Sequence, residues 1–273
     1  MKKIILATDF SKGASKAEEM AISIAKKHIS EIILLHCSSP TFVNPAMPGD
    51  LVVVVDHDNE KKFEEKLAAK ARSIQEQGVR TSFKYCIGSV SDGIKTVAEE
   101  QGADFVFMGK TGAAGFLDKL IGSTTEYVIN NIKIPLLVVP EKAKSIKIER
   151  IQYATELEYD EKNILEEVFS IARKLKADVD FVNVSSDTQL DLVDNGKLIK
   201  EMKNAFPNEK YEIKIVKSNN VEKAILELAE AHDNTALVVA SHHRGFLDGI
   251  LKPSVSKSLI AKTTVPTFVF HFG

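Results

Sequence analysis

Three glycines and a cluster of hydroxyl side chains follow one apolar segment in a pattern suited to binding phosphate. The apolar segment, residues 105–108, predicts a buried strand; Gly109 and Gly112 follow it, and Gly122 comes after nine further residues. The hydroxyl side chains stand directly behind the last glycine, at the start of a predicted helix over residues 124–131: Ser123, Thr124 and Thr125. Glycine lets backbone N–H groups approach an anion closely, and a helix N-terminus favours negative charge. The stretch therefore predicts a phosphate site.

These residues allow two other interpretations. The glycines could be ordinary loop residues, since glycine is common after strands. The sequence Gly109-Lys110-Thr111 resembles part of a Walker A loop, but that loop needs a glycine where Asp104 stands, so we exclude it. Lys110 is left with two roles, as a lysine that reaches a phosphate or as a solvated loop lysine.

Other candidate residues lie at the ends of neighbouring predicted strands. Asp9 ends the first strand, where it could bind a ligand or serve as the N-cap of a helix that begins near Ser11. Cys37 follows the second strand and Cys86 ends another. For Cys37 we favour a small buried side chain over a redox pair with Cys86.

Composition excludes several classes of protein. The 273 residues carry a net charge of -2, with 44% hydrophobic and 27% charged residues, so neither nucleic acid nor a membrane is an expected partner. No apolar run approaches the roughly 18 residues of a membrane span. The first residues lack the long apolar stretch of a signal peptide, and two cysteines fit a reducing compartment. We therefore expect a cytoplasmic protein.

The alternation of strand and helix patterns begins a second time near residue 151. Residues 151–156 repeat the pattern of residues 4–9, and Pro135 and Pro266 stand 131 positions apart at corresponding strand starts. Alternating strands and helices predict an α/β fold with a parallel sheet covered by helices on both faces. We expect two tandem domains, at residues 1–142 and 148–273, with the polar residues 141–149 between them.

The first half resembles the universal stress protein family, and the chain looks like a tandem of two such domains. The resemblance is carried by the nucleotide-binding pattern G-x2-G-x9-G-[ST], from Gly109 to Ser123, and by the opening strand that ends in Thr8-Asp9. It implies a five-stranded parallel sheet in each domain, in the order 3-2-1-4-5, with nucleotide at the carboxyl ends of strands 1 and 4. Ligands of open α/β sheets bind where the strand order reverses.

The resemblance also assigns residues to parts of an adenine nucleotide. The adenine and ribose would be met by Ala7, Thr8, Asp9 and Cys37, the last mainly through its main chain. Met108 and Gly109 would line the adenosine side. The phosphates would be met by Gly112, Gly122 and Ser123, with Thr124 and Thr125 close by.

The second half is expected to have lost its site. Aligning the two halves puts Ala240, His243 and Pro253 at the places of the three glycines, and Glu156 at the place of Asp9. Bulkier side chains crowd a phosphate, and proline lacks an N–H donor. We expect one nucleotide site per chain, with the second half completing an intramolecular pseudo-dimer through the last strand of each half. Further pairing of chains is left open.

We expect an ATP-binding stress-response protein that binds ATP, ADP or AMP, with Mg²⁺ held through the phosphates. Nucleotide would act as a switch or be hydrolysed slowly, and no catalytic residue is assigned. The alternative is a nucleotide-independent interaction protein. An ATP pyrophosphatase is disfavoured because residues 9–13 do not supply its phosphate-binding loop. Residues 51–55, an apolar run in a proline-bearing loop, could form an added edge strand, a flap over the nucleotide or a contact surface.

Overall fold

The computed structural model describes residues 2–39, 41–43, 52–54, 57–110, 123–155, 162–185, 195–242 and 253–272. The elements of the first half are β1 (Lys3–Ala7), α1 (Lys12–His28), β2 (Glu31–Ser38), β3 (Thr41–Val43), β4 (Val52–Val54), α2 (His57–Glu76), β5 (Thr81–Ile87), α3 (Val90–Gln101), β6 (Phe105–Lys110), α4 (Ser123–Asn131) and β7 (Leu136–Pro140). Those of the second half are β8 (Arg150–Ala154), α5 (Lys162–Leu175), β9 (Asp178–Ser185), α6 (Asn195–Ala205), β10 (Tyr211–Lys217), α7 (Val221–Glu230), β11 (Thr235–His242), α8 (Pro253–Lys262) and β12 (Thr267–Phe272).

Ten strands form one sheet that runs through both halves, in the order β10-β9-β8-β11-β12-β7-β6-β1-β2-β5. Within each half the five strands of this sheet pair in parallel. Numbered within its own half, each set of five has the order 3-2-1-4-5, which confirms the expected α/β fold. The reversal of order falls between β1 and β6 in the first half. That reversal opens a crevice at the carboxyl ends of these two strands.

Two apolar cores, one on each face of the sheet, extend across both halves. One core packs α1, α2 and α5 against the sheet and includes Leu6 and Phe268. The other packs α3, α4, α7 and α8 and includes Ile5 and Val269. Successive residues of a strand point to opposite faces, so strands buried on both sides need the continuous apolar runs seen in the sequence.

Helix α1 follows β1 after a short turn at the carboxyl end of the strand. Ala14, Ala17 and Ala21, which the sequence places on one helix face, are buried. Ser11 is the N-cap, and its hydroxyl accepts the N–H of Ala14 at 3.2 Å. Asp9 is therefore not the N-cap, which was the alternative role considered for it: its carboxylate accepts the N–H of Ser11 at 2.9 Å, in the turn before the helix.

The two halves join through antiparallel pairing of β7 with β12, the two strands predicted for this contact. Leu137 lies opposite Phe268, 131 positions away, which is the offset of the sequence repeat. The ion pair between Lys257 of α8 and Glu126 of α4 has the same offset. The strand pairing and this ion pair therefore each join equivalent positions of the two halves.

One element rules out an alternative that the sequence left open, and another was not predicted. Strand β4, from the apolar run in the proline-bearing loop, pairs with β3 in a separate two-stranded sheet, so it is not an added edge of the main sheet. Residues 44–51 between them lie outside the described part of the chain. Helix α6 was not predicted, because lysines and polar residues interrupt its short apolar repeat.

Candidate nucleotide-binding site

A cavity of about 570 Å³ opens at the carboxyl ends of β1, β2 and β6, where the strand order reverses. Its volume is typical of a site for a small organic ligand. Nine of the eleven residues predicted for the site line it: Ala7, Thr8, Asp9, Cys37, Met108, Gly109, Ser123, Thr124 and Thr125. The structure therefore brings together segments that are more than 100 positions apart in sequence.

Backbone hydrogen bonds hold the strand ends of the cavity in place. Ala7 pairs with Met108 across β1 and β6, and the N–H of Thr8 donates to the carbonyl of Leu35 at 2.9 Å. The Nδ1 atom of His36 lies 2.7 Å from the carbonyl oxygen of Thr8. A carbonyl oxygen only accepts, so Nδ1 carries the proton. These contacts tie β2 to the residue before Asp9.

Gly109 lies inside β6, and its lack of a side chain is required by packing. A Cβ atom there would lie 2.2–2.4 Å from backbone atoms of Gly13 and Ala14 in the first turn of α1. Such a contact is too short for real Cβ atoms, so the strand and the helix could not keep their present approach. The packing of β6 against α1 therefore requires glycine at position 109, a structural role that the phosphate interpretation did not include.

Three helices begin at the cavity. Ala14 in the first turn of α1, Val90 at the start of α3 and Ser123 at the start of α4 all line it. The unpaired N–H groups and aligned dipoles of helix starts make the surrounding potential positive. The hydroxyl groups of Ser123 and Thr124 add donors at the start of α4. This arrangement suits an anionic ligand.

Asp9 is the single carboxylate among the described residues that line the cavity, and this lining includes no lysine or arginine. An acidic side chain repels phosphate but accepts hydrogen bonds from hydroxyl and amino groups. The cavity thus has an acceptor beside β1 and neutral donors at the start of α4. Lys119, the other lysine near the motif in sequence, lies outside the described residues.

Lys110 has neither of the two roles considered for it. Its side chain is buried, and its ammonium donates to the carbonyl oxygens of Ile260 and Ala261, each at 2.6 Å, and of Thr263 at 3.2 Å. These carbonyls lie at the end of α8, in the second half. Burial lowers the pKa of the Lys110 ammonium from 10.5 to about 8, and the charge of Glu230 opposes the shift. Lys110 therefore anchors the end of β6 to the other half and does not face the cavity.

Cys37 is not the small buried residue that the sequence favoured. It is half-buried, lies opposite Cys86 in the pairing of β2 with β5, and is joined to it by a disulfide. Pairs at this register have their Cα atoms close enough to be bridged. The structure thus contains the Cys37–Cys86 pair, which was the less favoured interpretation of the sequence.

Part of the predicted motif falls outside the described residues. Gly112 and Gly122 belong to residues 111–122, of which nothing structural is stated, and the same holds for Glu156 and His243 of the second half. Of the other two substituted positions, Ala240 is buried in β11 and Pro253 is the first residue of α8.

Several lining residues were not predicted from the sequence: Ala14, Leu35, His36, Ser39, Gly88, Ser89, Val90 and Tyr127. Most of them lie near the carboxyl ends of β2 and β5 or at the start of a helix. Ser89 is recognisable as an N-cap, since its hydroxyl accepts the N–H of Asp92 at 3.1 Å. Strand order was the available signal, because neighbouring parallel strands end at the same edge.

The described residues hold no group of three or more His, Cys, Asp or Glu side chains that could bind a metal ion. The cavity residues thus fit a divalent cation only as part of a ligand that brings its own oxygen atoms, with Asp9 as the available carboxylate. Within the same described ranges, no helix is both long enough and apolar enough to cross a bilayer.

The chain matches the model of the Universal stress protein family twice, over residues 1–140 and 147–271. Universal stress protein Sll1388 from Synechocystis sp. is 27% identical over 148 residues, which cover 50% of this chain and 96% of that protein. Universal stress protein MJ0577 from Methanocaldococcus jannaschii is 29% identical over 155 residues, which cover 52% and 96%.

Among solved structures, a universal stress protein from Archaeoglobus fulgidus DSM 4304 shares the fold over the whole chain. The TM-score is 0.75 at 23% sequence identity, and the match covers 99% of this chain and 98% of that one. Since the family model matches both halves of the sequence, the chain belongs to the universal stress protein family, as a tandem of two copies of its domain.

Proposed function

We propose that the cavity of the first half binds an adenine nucleotide, and that the protein is an ATP-binding member of its family that acts in the stress response. The observation that carries the proposal is the convergence of three helix starts on one cavity at the switch point of the sheet. The glycine and hydroxyl motif from Gly109 to Ser123 leads into one of these helices.

The nucleotide is oriented by the polarity of the lining. The carboxylate of Asp9 accepts hydrogen bonds from the ribose hydroxyls or the adenine amino group, and the phosphates lie against Ser123, Thr124 and Thr125. Gly112 and Gly122 supply backbone N–H groups to the phosphates. ATP, ADP and AMP all fit this scheme, and Mg²⁺ enters with the phosphates.

Nucleotide acts as a switch, with at most slow hydrolysis. Fast phosphoryl transfer needs positive charge on the phosphates and a group that orients water. The described cavity lining has no lysine or arginine, and Lys110 is directed to the second half. The second half completes a pseudo-dimer within the chain and carries no nucleotide site of its own. A cytoplasmic location stays a prediction.

The test is a titration with a fluorescent ATP analogue, followed by competition with ATP, ADP and AMP. Ser123→Ala removes a hydroxyl donor to a phosphate, which we expect to weaken binding by roughly ten-fold. Gly122→Val places a side chain against the phosphates and should abolish binding. Ser254→Ala is the matched control, because Ser254 occupies the equivalent position of the repeat, in α8.

If the wild type and the Ser123 and Gly122 variants bind nucleotide with equal affinity, the nucleotide does not bind in this cavity. No binding of any of the three nucleotides at millimolar concentration would contradict the proposal as a whole. That second result would favour the nucleotide-independent interaction protein.

A further inference from the structure

The disulfide between Cys37 and Cys86 links the edge strand β5 to its neighbour β2 beside the cavity. The two residues face each other across β2 and β5, with their Cα atoms 4.6 Å apart. Both are half-buried, so small reagents in solution can reach them. The pair spans 49 positions of sequence and joins the carboxyl ends of two separate strands. It is therefore a covalent tie between two parts of the cavity rim.

Both tied segments contribute directly to the cavity. Cys37 lines it, and so do Gly88 and Ser89, which follow Cys86 at the end of β5. The N–H of Gly88 donates to the carbonyl of Ser38 at 2.9 Å, which continues the strand pairing past the disulfide. A change in the separation of the two cysteines is thus passed to residues that would touch the ligand.

Helix α3 rests on the disulfide with no room to spare. A Cβ atom on Gly93 would lie 2.4 Å from the sulfur of Cys37 and 2.7 Å from that of Cys86. When the bond is reduced, the two sulfur atoms must separate to roughly the 3.5–4.0 Å at which non-bonded heavy atoms meet. With α3 against them, they separate through a shift of α3 or through rotation of one of the two thiols.

We propose that the Cys37–Cys86 pair is a reversible redox switch that sets the affinity of the cavity for its ligand, with the disulfide form binding more tightly. This inference rests on the proposed nucleotide site. The oxidant is a hydroperoxide. One thiolate attacks its O–O bond and becomes a sulfenic acid, releasing water or an alcohol; the other thiolate attacks that sulfur, forms the S–S bond and releases water. Two thiols lose two electrons and two protons, and a dithiol reductant reverses the change.

Binding and oxidation are coupled in both directions. If the disulfide form binds nucleotide more tightly by a given factor, bound nucleotide favours the disulfide over the dithiol by the same factor. The protein would then hold its ligand under oxidising conditions and release it when the pair is reduced.

The experiment compares fully oxidised and fully reduced protein, with free thiols counted in each sample. Nucleotide affinity is measured by titration of the fluorescent ATP analogue. We expect the reduced protein to bind at least five-fold more weakly than the oxidised protein. Cys86→Ser should bind as the reduced protein does and should not respond to reductant. Cys86 is the suitable position because it does not itself line the cavity among the described residues.

Hydrogen exchange of residues 86–93 gives a readout that needs no nucleotide. Faster exchange of these amides after reduction supports the switch, and unchanged exchange overturns it. Equal affinities of the two redox forms overturn it while leaving the nucleotide site intact, as do two free thiols that persist in excess hydroperoxide. If neither form binds nucleotide, the proposed function fails, and the exchange comparison alone decides whether reduction alters the rim.

Discussion

Replacing Lys110 with methionine removes the ammonium that joins β6 to the end of α8 while keeping a long apolar side chain. The wild-type ammonium donates to three carbonyl oxygens, those of Ile260, Ala261 and Thr263. The last carbonyls of a helix have no partner within the helix, so they depend on an outside donor. In the variant they lose that donor inside a mostly buried contact.

Two opposing effects set the size of the change. Each hydrogen bond from a charged donor contributes about 1.5–3 kcal/mol, and the positive charge also interacts favourably with the negative end of α8. Against this stands the burial of the charge, which lowers the pKa of Lys110 to about 8 and corresponds to about 3 kcal/mol. Methionine avoids this burial of charge but leaves three mostly buried carbonyl oxygens without their donor, at about 1–3 kcal/mol each, so we expect the free energy of unfolding to fall by about 2–5 kcal/mol.

Urea unfolding followed by circular dichroism measures this change through the midpoint at constant slope. In a thermal scan the same loss lowers the midpoint by roughly 5–15 °C. Lys144→Met is the matched control, because Lys144 of the connecting segment also pairs with the second half, with Asp233 at 3.2 Å, but both side chains are about two-thirds exposed. Exposed pairs contribute about 0–1 kcal/mol. A Lys110 variant no less stable than this control would refute the anchoring role.

Three further predictions concern described residues of both halves. Raising the pH from 8 to 10.5 should stabilise the wild type relative to Lys110→Met by up to about 3 kcal/mol, because the folded protein releases the Lys110 proton at a lower pH than the unfolded chain does. Urea titrations of both proteins across this pH range would measure the effect. A difference in unfolding free energy that does not change with pH would contradict it. Gly109→Ala should lower the free energy of unfolding by about 1–3 kcal/mol, since its Cβ meets the backbone of α1, and an unchanged urea midpoint would exclude that crowding. Asp180→Ala should lower the free energy of unfolding by about 1–3 kcal/mol, because the buried carboxylate accepts charged hydrogen bonds from Arg150 at 2.6 Å and Lys214 at 2.8 Å; a loss under about 0.5 kcal/mol in the urea assay would refute this.

Much of the fold could be predicted because its signals are local. Buried parallel strands need continuous apolar runs, and amphipathic helices need apolar residues at helical spacing; both are present near β1 and α1. The repeat then predicted the second half and made the last strand of each half a candidate for the contact between the halves, which β7 and β12 form. Helix α6 was missed because its apolar repeat is short and its lysines are frequent.

The candidate site was predictable where one segment carried the signal. The glycine and hydroxyl motif located β6 and α4, but it gave no information on what Lys110 contacts, because its partners are 150–153 positions away. The Cys37–Cys86 bond depends on β2 and β5 being neighbours in exact register, which spacing alone does not determine. Gly109 was correctly chosen as a site residue, but its packing against α1 depends on a tertiary approach that no local pattern encodes.

The pairing of β7 with β12 within one chain has a consequence for dilution and stoichiometry. The nine residues 141–149 join the end of β7 to the start of β8, so the halves meet at an effective concentration that short linkers set near the millimolar range. Their association therefore does not weaken as the protein becomes scarce. Every molecule also contains one half with the glycine motif and one half without it, in a fixed one-to-one ratio. A mixture of separate chains would produce like pairs as well, whereas the fused chain is asymmetric in every copy.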